Sequence, residues 1–189
     1  MNFRQGDHKM ENYVKQLVQK IRSWWQETDG VAAVEAAFIF PVMIVMLLGA
    51  FDVGRGLLMN QKVISSSQVG ADLIARNMTV DMGIVDETIE AARLTLEPYD
   101  TTSFGIDIVS LEFDENEDPE ILWRETRNML PNDASVNTTS GMFPEGEGII
   151  IVTVQYQYEP SFGDVVIGDI TMSEVAFARG RRSPTVPMN

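Results

Sequence analysis

The sequence lacks most of the residues that enzymes and metal sites use. It contains no cysteine, so disulfide frameworks, cysteine-ligated zinc or iron–sulfur sites and thiol catalysis are excluded by stoichiometry. Its one histidine, His8, lies in a polar N-terminal stretch, and a Ser-His-Asp triad or a histidine-rich metal site would have to be built on that single residue. We therefore expect no cofactor and no catalytic residues.

Basic residues are also scarce. The 189-residue chain has 14 Lys+Arg against 28 Asp+Glu, a formal net charge of -14. This charge repels phosphate backbones, so we expect no nucleic-acid partner. The residues up to Phe51 carry five charges of each sign, and the whole net charge therefore lies beyond that point. The length suits one domain and not a multidomain enzyme.

The one long apolar run is Val31 to Phe51, with Glu35 as its only charge in 21 positions. About 20 apolar residues cross a hydrocarbon core of about 30 Å, so the run predicts a transmembrane helix. Pro41 lies inside it and is expected to kink the helix without ending it. Two alternatives are a buried helix of a soluble domain and a cleaved secretory signal with a small-residue exit at Leu48-Gly49-Ala50.

The charges that flank the run predict its orientation. Residues 1–30 carry five basic residues, whereas only Arg55 and Lys62 follow within about 15 residues. We therefore expect a single-pass inner-membrane protein whose N-terminus is cytoplasmic. The predicted organisation is a cytoplasmic leader over 1–30, a transmembrane helix over 31–51 and an acidic periplasmic domain over 52–189.

The leader carries an amphipathic pattern from Tyr13 to Trp25, with apolar residues on one side. This pattern is typical of a helix that lies on a membrane surface. The pair Trp24-Trp25 precedes the span and fits an interfacial aromatic belt, or a docking site for a partner on the cytoplasmic side.

A short motif marks the start of the apolar run. Gly30 and Val31 are followed by Glu35, the only acid in the run. A carboxylate near lipid is costly, although a position close to the start of the helix reduces the cost because water and the helix dipole favour an acid there. Gly30, Val31 and Glu35 are therefore the candidate residues of a membrane-insertion motif, and the resemblance described next implies that the same residues are a processing motif.

This segment resembles known proteins. Type IV prepilins and pseudopilins have a leader that ends in Gly, is cleaved just after it, and is followed by an apolar helix with Glu at mature position five. The stretch Gly30-Val31-Ala32-Ala33-Val34-Glu35-Ala36-Ala37-Phe38, with Pro41 and a Leu/Met/Val run after it, is similar to the N-terminal motif of TadE-like (TadE/TadG) proteins of tight-adherence pilus systems. The motif covers about the first quarter of the chain.

The resemblance implies a function. It implies an inner-membrane, pilin-related protein that assists assembly or secretion of thin adhesive pili, with the lipid bilayer and other pilin or assembly subunits as partners. A prepilin peptidase is a further implied partner if the leader is cleaved after Gly30, which stays open because many relatives keep this segment. In pilins the amine of the new N-terminal residue, here Val31, neutralises the carboxylate that corresponds to Glu35. The resemblance implies no enzymatic activity.

The rest of the chain predicts an α+β fold in which the span extends into a long helix, followed by a small antiparallel sheet with a packed helix. Three- and four-residue spacing continues the first helix to about Met78, and the small residues along it suit either a pilin-like stalk or a helix lying on its own domain. A second helix is expected over Ile84 to Glu97. The expected strands are Phe104 to Phe113, Ile121 to Glu125, Gly148 to Glu159, and an edge strand over Thr171 to Arg179.

Two polar segments are weaker candidates. Asp114, Asn116 and Asp118 have the spacing that opens a calcium loop, but Pro119 stands where such a loop needs Gly, which favours a solvated connection between strands. The basic tail with Arg179, Arg181 and Arg182 could meet anionic headgroups, although a solubilising role is the expectation.

The sequence thus predicts a membrane-anchored component of a tight-adherence pilus and secretion system. Two other functions stay open at this point. One is a membrane-anchored module that binds the cell envelope without involvement in pili. The other is a metal-assisted envelope hydrolase, although no carboxylate pair is singled out by its spacing.

Overall fold

The computed structural model describes residues 15–22, 29–163 and 168–189. The chain divides into two units, Met1–Leu48 and Gly49–Asn189. In the first unit residues 15–22 are helical, inside the predicted amphipathic segment, and Leu17, Val18 and Ile21 are exposed. Trp24, Trp25 and His8 lie outside the described residues, so the expectations for them stay predictions.

The longest element is helix α1, Asp29–Ala75. Pro41 lies inside it and does not end it. The expected kink at Pro41 stays a prediction. The helix ends three residues before the predicted Met78. Its last carbonyl groups are taken by other donors: the Asn77 side chain donates to the carbonyl of Leu73, and the Arg181 amide donates to that of Ala75 at 2.8 Å. These bonds satisfy the orphan acceptors and end the helix.

The second helix, α2, spans Met82–Leu94, compared with the predicted Ile84 to Glu97. It begins earlier because Asp81 caps it, with a carboxylate oxygen that accepts from the Ile84 amide at 2.9 Å. A five-residue helix, α3 (Asp133–Asn137), was not predicted. It is too short to produce a helical period in the sequence, and the Asn132 side chain caps it.

Four strands form one antiparallel sheet: β1 (Gly105–Phe113), β2 (Pro119–Arg127), β3 (Gly148–Tyr158) and β4 (Ile170–Ala178). Their order is β2-β1-β3-β4, so β4 is an edge strand, as predicted. β2 is longer than the predicted strand because Pro119 pairs with Phe113 and Arg127 pairs with Ile106. A proline is tolerated at the first residue of an edge strand, where no ladder donor is needed. The α+β prediction is confirmed.

The later turns of α1 pack, together with α2, on one face of this sheet. The contact is close: a Cβ added at Gly70 would lie 3.1 Å from Cγ1 of Val152. The Ser66 hydroxyl, fully buried, donates to the Ala92 carbonyl of α2 at 2.7 Å. Gly70 and Ser66 therefore support a helix that lies on its own domain, one of the two arrangements left open above, whereas a Cβ added at Gly54 would have open space around it. The fully buried members of this core with the largest side chains are Met59, Val63, Ile74, Val80, Val85, Leu96, Ile106, Ile108 and Ile150.

The other face of the sheet carries a smaller core. It joins the ends of β1 and β3 to α3 and is composed of Val109, Leu111, Phe113, Val136, Ile149 and Ile151. Further along β3 this face changes to Thr153, Gln155 and Gln157, of which Gln157 is exposed. The predicted alternation of β3, with one face becoming polar along its length, is confirmed.

The C-terminal tail completes the larger core. Val186 is 1% exposed, and its carbonyl accepts from the Ser110 hydroxyl at 2.8 Å and from the Trp123 indole at 2.7 Å. Val80 and Met188 form a parallel bridge. Arg179 pairs with Glu147 and Arg181 with Asp72. These two basic residues of the tail therefore pair with acids of the domain, a role that neither sequence reading foresaw.

The position of Val186 gives a stability prediction. Val186→Ala removes two buried methyl groups, and we expect it to lower the free energy of unfolding of the full chain in detergent by about 1–3 kcal/mol. Leu130→Ala is the control, since Leu130 is 84% exposed, and its effect is expected within about 0.5 kcal/mol. Urea unfolding followed by circular dichroism measures both, and equal small effects would show that the tail is dispensable.

Candidate membrane segment and junction

Most of the apolar run lies in the part of α1 that belongs to the first unit. Side chains from Val31 to Leu47 are exposed, and the most apolar 18-residue window has a mean hydropathy of 2.5 with none of it buried. By length and composition, α1 is the one helix in the described ranges that could cross a membrane. A helix that is apolar all round and not covered by protein is compatible with a single-pass anchor.

The motif residues lie in the first turns of this helix. Gly30 and Val31 directly follow the helix start at Asp29, and Glu35 is four residues after Val31. Residues four apart lie on one face of a helix, so the structure places Val31 and Glu35 side by side along α1. All three motif residues are exposed. A Cβ added at Gly30 would have open space around it. The role of the motif in processing stays a prediction.

A buried acid marks the end of the apolar run. Asp52, the residue after Phe51, is only 4% exposed, although it begins the acidic part of the sequence. Its carboxylate accepts hydrogen bonds from three consecutive backbone amides, those of Ser161 at 3.0 Å, Phe162 at 2.8 Å and Gly163 at 2.6 Å. Three charge-assisted bonds satisfy a buried carboxylate and fix the loop that donates them. Asp52 therefore fastens the segment after β3 to α1.

Further contacts surround this carboxylate. The Phe51 and Phe162 rings meet edge to face, with centroids 5.9 Å apart. The Arg55 guanidinium lies 5.8 Å from the Phe51 ring centroid and donates to the Ser161 hydroxyl. The Tyr158 hydroxyl donates to the backbone carbonyl of Asp52 at 3.0 Å. We call Phe51, Asp52, Arg55 and the loop 160–163 the junction.

The junction was missed by the sequence analysis. The run of apolar residues was taken to end at Phe51, and Asp52 was counted only as the start of the acidic domain. A signal existed in the spacing, since Arg55 follows Asp52 by one turn. The donors to the carboxylate come from residues more than a hundred positions later, and a local pattern cannot reveal them.

The candidate calcium loop is a tight connection between β1 and β2. One oxygen of Asp114 accepts from the amides of Asn116 and Asp118, both at 2.8 Å. These amides hold the pKa of Asp114 below its usual value, with the Asp118 amide as the largest cause. Asp118 accepts from the Ser140 hydroxyl at 2.7 Å. In the described part of the chain, no group of three or more His, Cys, Asp or Glu side chains could hold a metal ion.

The most deeply buried charge in the sheet is Asp107 of β1, which is 0% exposed. Its oxygens accept from Arg124 at 2.9 and 2.6 Å, from the Thr126 hydroxyl at 2.6 Å and from the Asn132 amide at 2.9 Å. Burial acts to raise the pKa of Asp107, but the hydrogen bonds from Arg124, Thr126 and Asn132 together lower it below the usual value. The carboxylate of Asp107 is ionised and all its acceptor positions are used, so it connects β1, β2 and the segment before α3. We call Asp107 with its three donor residues the Asp107 tie.

Arg124 is held by two acids at this tie. Its guanidinium also donates to Asp133 at 2.5 Å, and the pKa of Arg124 is raised, first by the hydrogen bond to Asp107. The two acids differ in their surroundings, because the Asp133 side chain is largely exposed whereas that of Asp107 is fully buried. Asp107 and Asp133 therefore allow a buried ion pair to be compared with an exposed one on the same guanidinium.

Comparison with known proteins identifies one segment. Residues 30–72 match a family model described as TadE-like protein. The match begins at Gly30 and contains the whole apolar run, so it confirms the resemblance inferred from the sequence. No curated protein and no solved structure gives a significant match to the chain.

The Asp107 tie predicts an acid-sensitive stability. A carboxylate whose pKa is lowered by folding contributes stability that is present above its unfolded value of about 3.9 and is lost as the pH falls through the folded value. Asp107→Asn is expected to cost about 3–5 kcal/mol at neutral pH because it leaves Arg124 without its buried partner. It is also expected to flatten the fall of stability with pH in the acid range.

Asp133→Asn is the matched control for this change. Its pair with the same guanidinium is exposed, so the expected cost is about 1 kcal/mol or less, with an acid slope like that of the unchanged chain. Urea unfolding of the full chain in detergent across pH measures both variants. Equal costs for the two would contradict the assignment of Asp107 as the tie of the sheet.

Proposed function

We propose that this chain is a membrane-anchored, pilin-like structural or assembly component of a tight-adherence pilus and secretion system. The observation that carries the proposal is the coincidence of the TadE-like match over residues 30–72 with an exposed apolar helix. Exposed apolar surface of this extent is rare on soluble proteins and marks a site that meets lipid or protein.

In the proposed function, the apolar helix anchors the chain in the membrane. At 1.5 Å per residue, Val31 to Phe51 is about 31 Å long, which equals the thickness of a hydrocarbon core. In the proposed function this helix holds the acidic domain at the inner membrane, or enters a bundle with the helices of pilin subunits. The sheet domain then presents its surface to pilus or secretion partners in the periplasm.

In the proposed function, the motif at the helix start favours the association of subunits. Glu35 is one turn inside the membrane edge, where a carboxylate is less costly than at the bilayer centre. If a prepilin peptidase cleaves after Gly30, the new amine of Val31 lies on the same helix face as Glu35 or meets the Glu35 of another subunit. A paired charge avoids most of the cost of desolvation, which favours subunits that associate through this end.

The proposed role is structural and not catalytic. Asp107, the buried acid of the sheet, is ionised and saturated by its donors, whereas a general acid needs a raised pKa. Asp52 is likewise filled by three amides. Both acids therefore support a role in holding the fold.

Deletion of the gene in its native host tests the proposal. We expect the deletion strain to lose surface pili, counted by electron microscopy, and to regain them with the wild-type gene. Glu35→Gln is expected to restore fewer pili, because it removes the only charge of the apolar run. Glu115→Gln, an exposed acid of the β1–β2 loop, is the matched control and should restore them fully. Normal pili in the deletion strain would contradict the proposal.

The same strains show whether the leader is removed. If the chain is processed as a pseudopilin, the intact mass of the protein extracted from membranes should correspond to a chain that begins at Val31. A Gly30→Leu variant should then keep its full length. Full-length wild-type protein in a strain with an active prepilin peptidase would assign the chain as an anchored assembly factor that keeps its leader.

The orientation gives a separate prediction, and the absence of cysteine makes it simple to test. Leu130→Cys and Val18→Cys each introduce one thiol at an exposed position, in the domain and in the leader. In spheroplasts, a membrane-impermeant maleimide should label the thiol at position 130 and should label that at position 18 only after permeabilisation. The opposite pattern would invert the topology, and labelling of both would show that the chain is not held across the membrane.

A further inference from the structure

We infer that the junction forms a second contact with the membrane, in which Phe162, together with Phe51 and Arg55, lies in the lipid headgroup region and seats the sheet domain on the bilayer. This inference rests on the proposed membrane anchoring and adds to it, because it gives the segment after β3 a lipid-binding role that α1 alone does not require.

The depth of Phe162 follows from its contact with Phe51. Phe51 is the last apolar residue of a run whose length of about 31 Å fills the hydrocarbon core, so it lies where the core meets the headgroups. The Phe162 ring packs edge to face on the Phe51 ring at 5.9 Å. Phe162 comes from a loop far away in the sequence and still lies at the same level as the end of the span.

The surface at this level has the composition of a membrane interface. The Phe162 side chain is 54% exposed although it is large and apolar, and burial of its free face in lipid is favourable. Arg55 lies one turn beyond Phe51, with its guanidinium over the Phe51 ring. An arginine at this position keeps its stem on apolar surface and its charge in the headgroup layer, where phosphate oxygens match its donors.

The same features favour lipid over a protein partner. The exposed apolar surface of the junction consists of two rings, one of which belongs to Phe51, the last residue of the apolar run, whereas a stable protein interface needs about 800 Å² on each partner. The domain carries the whole net charge of the chain and would be repelled by anionic lipids over most of its surface. Among the residues of the junction the acid, Asp52, is covered by three amide donors, and the basic residue is Arg55.

Asp52 positions this contact. Its carboxylate binds the amides of Ser161, Phe162 and Gly163, so the backbone that carries the Phe162 ring is fixed to α1 at a defined height. Without the carboxylate the loop loses three hydrogen bonds at once. Asp52 is therefore a positioning residue, and lipid itself meets Phe162 and Arg55.

Site-directed spin labelling of the full chain tests the inference, since any introduced cysteine is the only one. The chain is reconstituted in vesicles of phosphatidylethanolamine with a minor fraction of phosphatidylglycerol, and each label is tested for collision with oxygen, which prefers lipid, and with a water-soluble nickel complex. Phe162→Cys is the test position and Val45→Cys, within the apolar run, is the positive control. Phe177→Cys is the matched negative control, because Phe177 is a similarly exposed phenylalanine on the edge strand β4.

The expected result is that oxygen collides more than the nickel complex with the labels at positions 45 and 162, and less with that at 177. If position 162 behaves like 177 while 45 is in lipid, the inference is overturned and the anchoring stands. If position 45 is accessible to the nickel complex, the anchoring fails and the inference fails with it.

A second pair of variants tests the role of Asp52. In an Asp52→Ala background the label at position 162 should move toward the aqueous values while that at 45 is unchanged. Asp72→Ala is the control, because Asp72 also lies on α1 and forms ion pairs, with Arg76 and Arg181, but does not touch the loop. An unchanged depth of position 162 in Asp52→Ala would overturn the positioning role, as would an equal change in Asp72→Ala.

Discussion

The single helix α1 carries two different surfaces, one apolar and exposed and one packed on the sheet, and this constraint determines most of the structure. From Val31 to Phe51 the helix α1 is apolar apart from Glu35, which is compatible with a lipid-facing segment. From Met59 to Ala75 the same helix has one face of small and apolar residues that is buried on the sheet, and the remainder is polar or exposed. The change from the apolar part to the packed part of α1 occurs at Asp52. This first acid after the run is not exposed to water, because backbone amides bind its carboxylate.

The small residues of α1 allow its later turns to pack closely on the sheet. At Gly70 the Val152 side chain would approach an added Cβ to 3.1 Å, and at Gly56 the ring of Tyr158 would approach one to 3.4 Å. A helix that approaches a sheet this closely excludes water from Ser66 and Ser67, and their hydroxyls donate to helix carbonyls instead. The same glycines in a chain without the sheet would suggest helix-to-helix packing, which is why the sequence alone left both arrangements open.

The local elements could be predicted from the sequence, but the contacts between them could not. β3 was recognisable because its alternation is long and its residues are β-branched, and α2 because a helical period precedes Pro98. α3 was missed since five residues carry no period. The Asp52 and Asp107 sites were missed because their donors come from other elements. At the membrane segment, Gly30, Val31 and Glu35 were identified by their order along the chain, and the family match covers the same residues.

The tail has a consequence for the order of events during biogenesis. Val186 fills a space in the larger core, and the Val80 amide and carbonyl bond to Pro187 and Asn189. The larger core is therefore complete only when residues near 186 are present, after all four strands have been synthesised. For a domain that is exported as proposed above, the larger core would stay incomplete during transit and would be completed only once Val186 had emerged on the far side of the membrane.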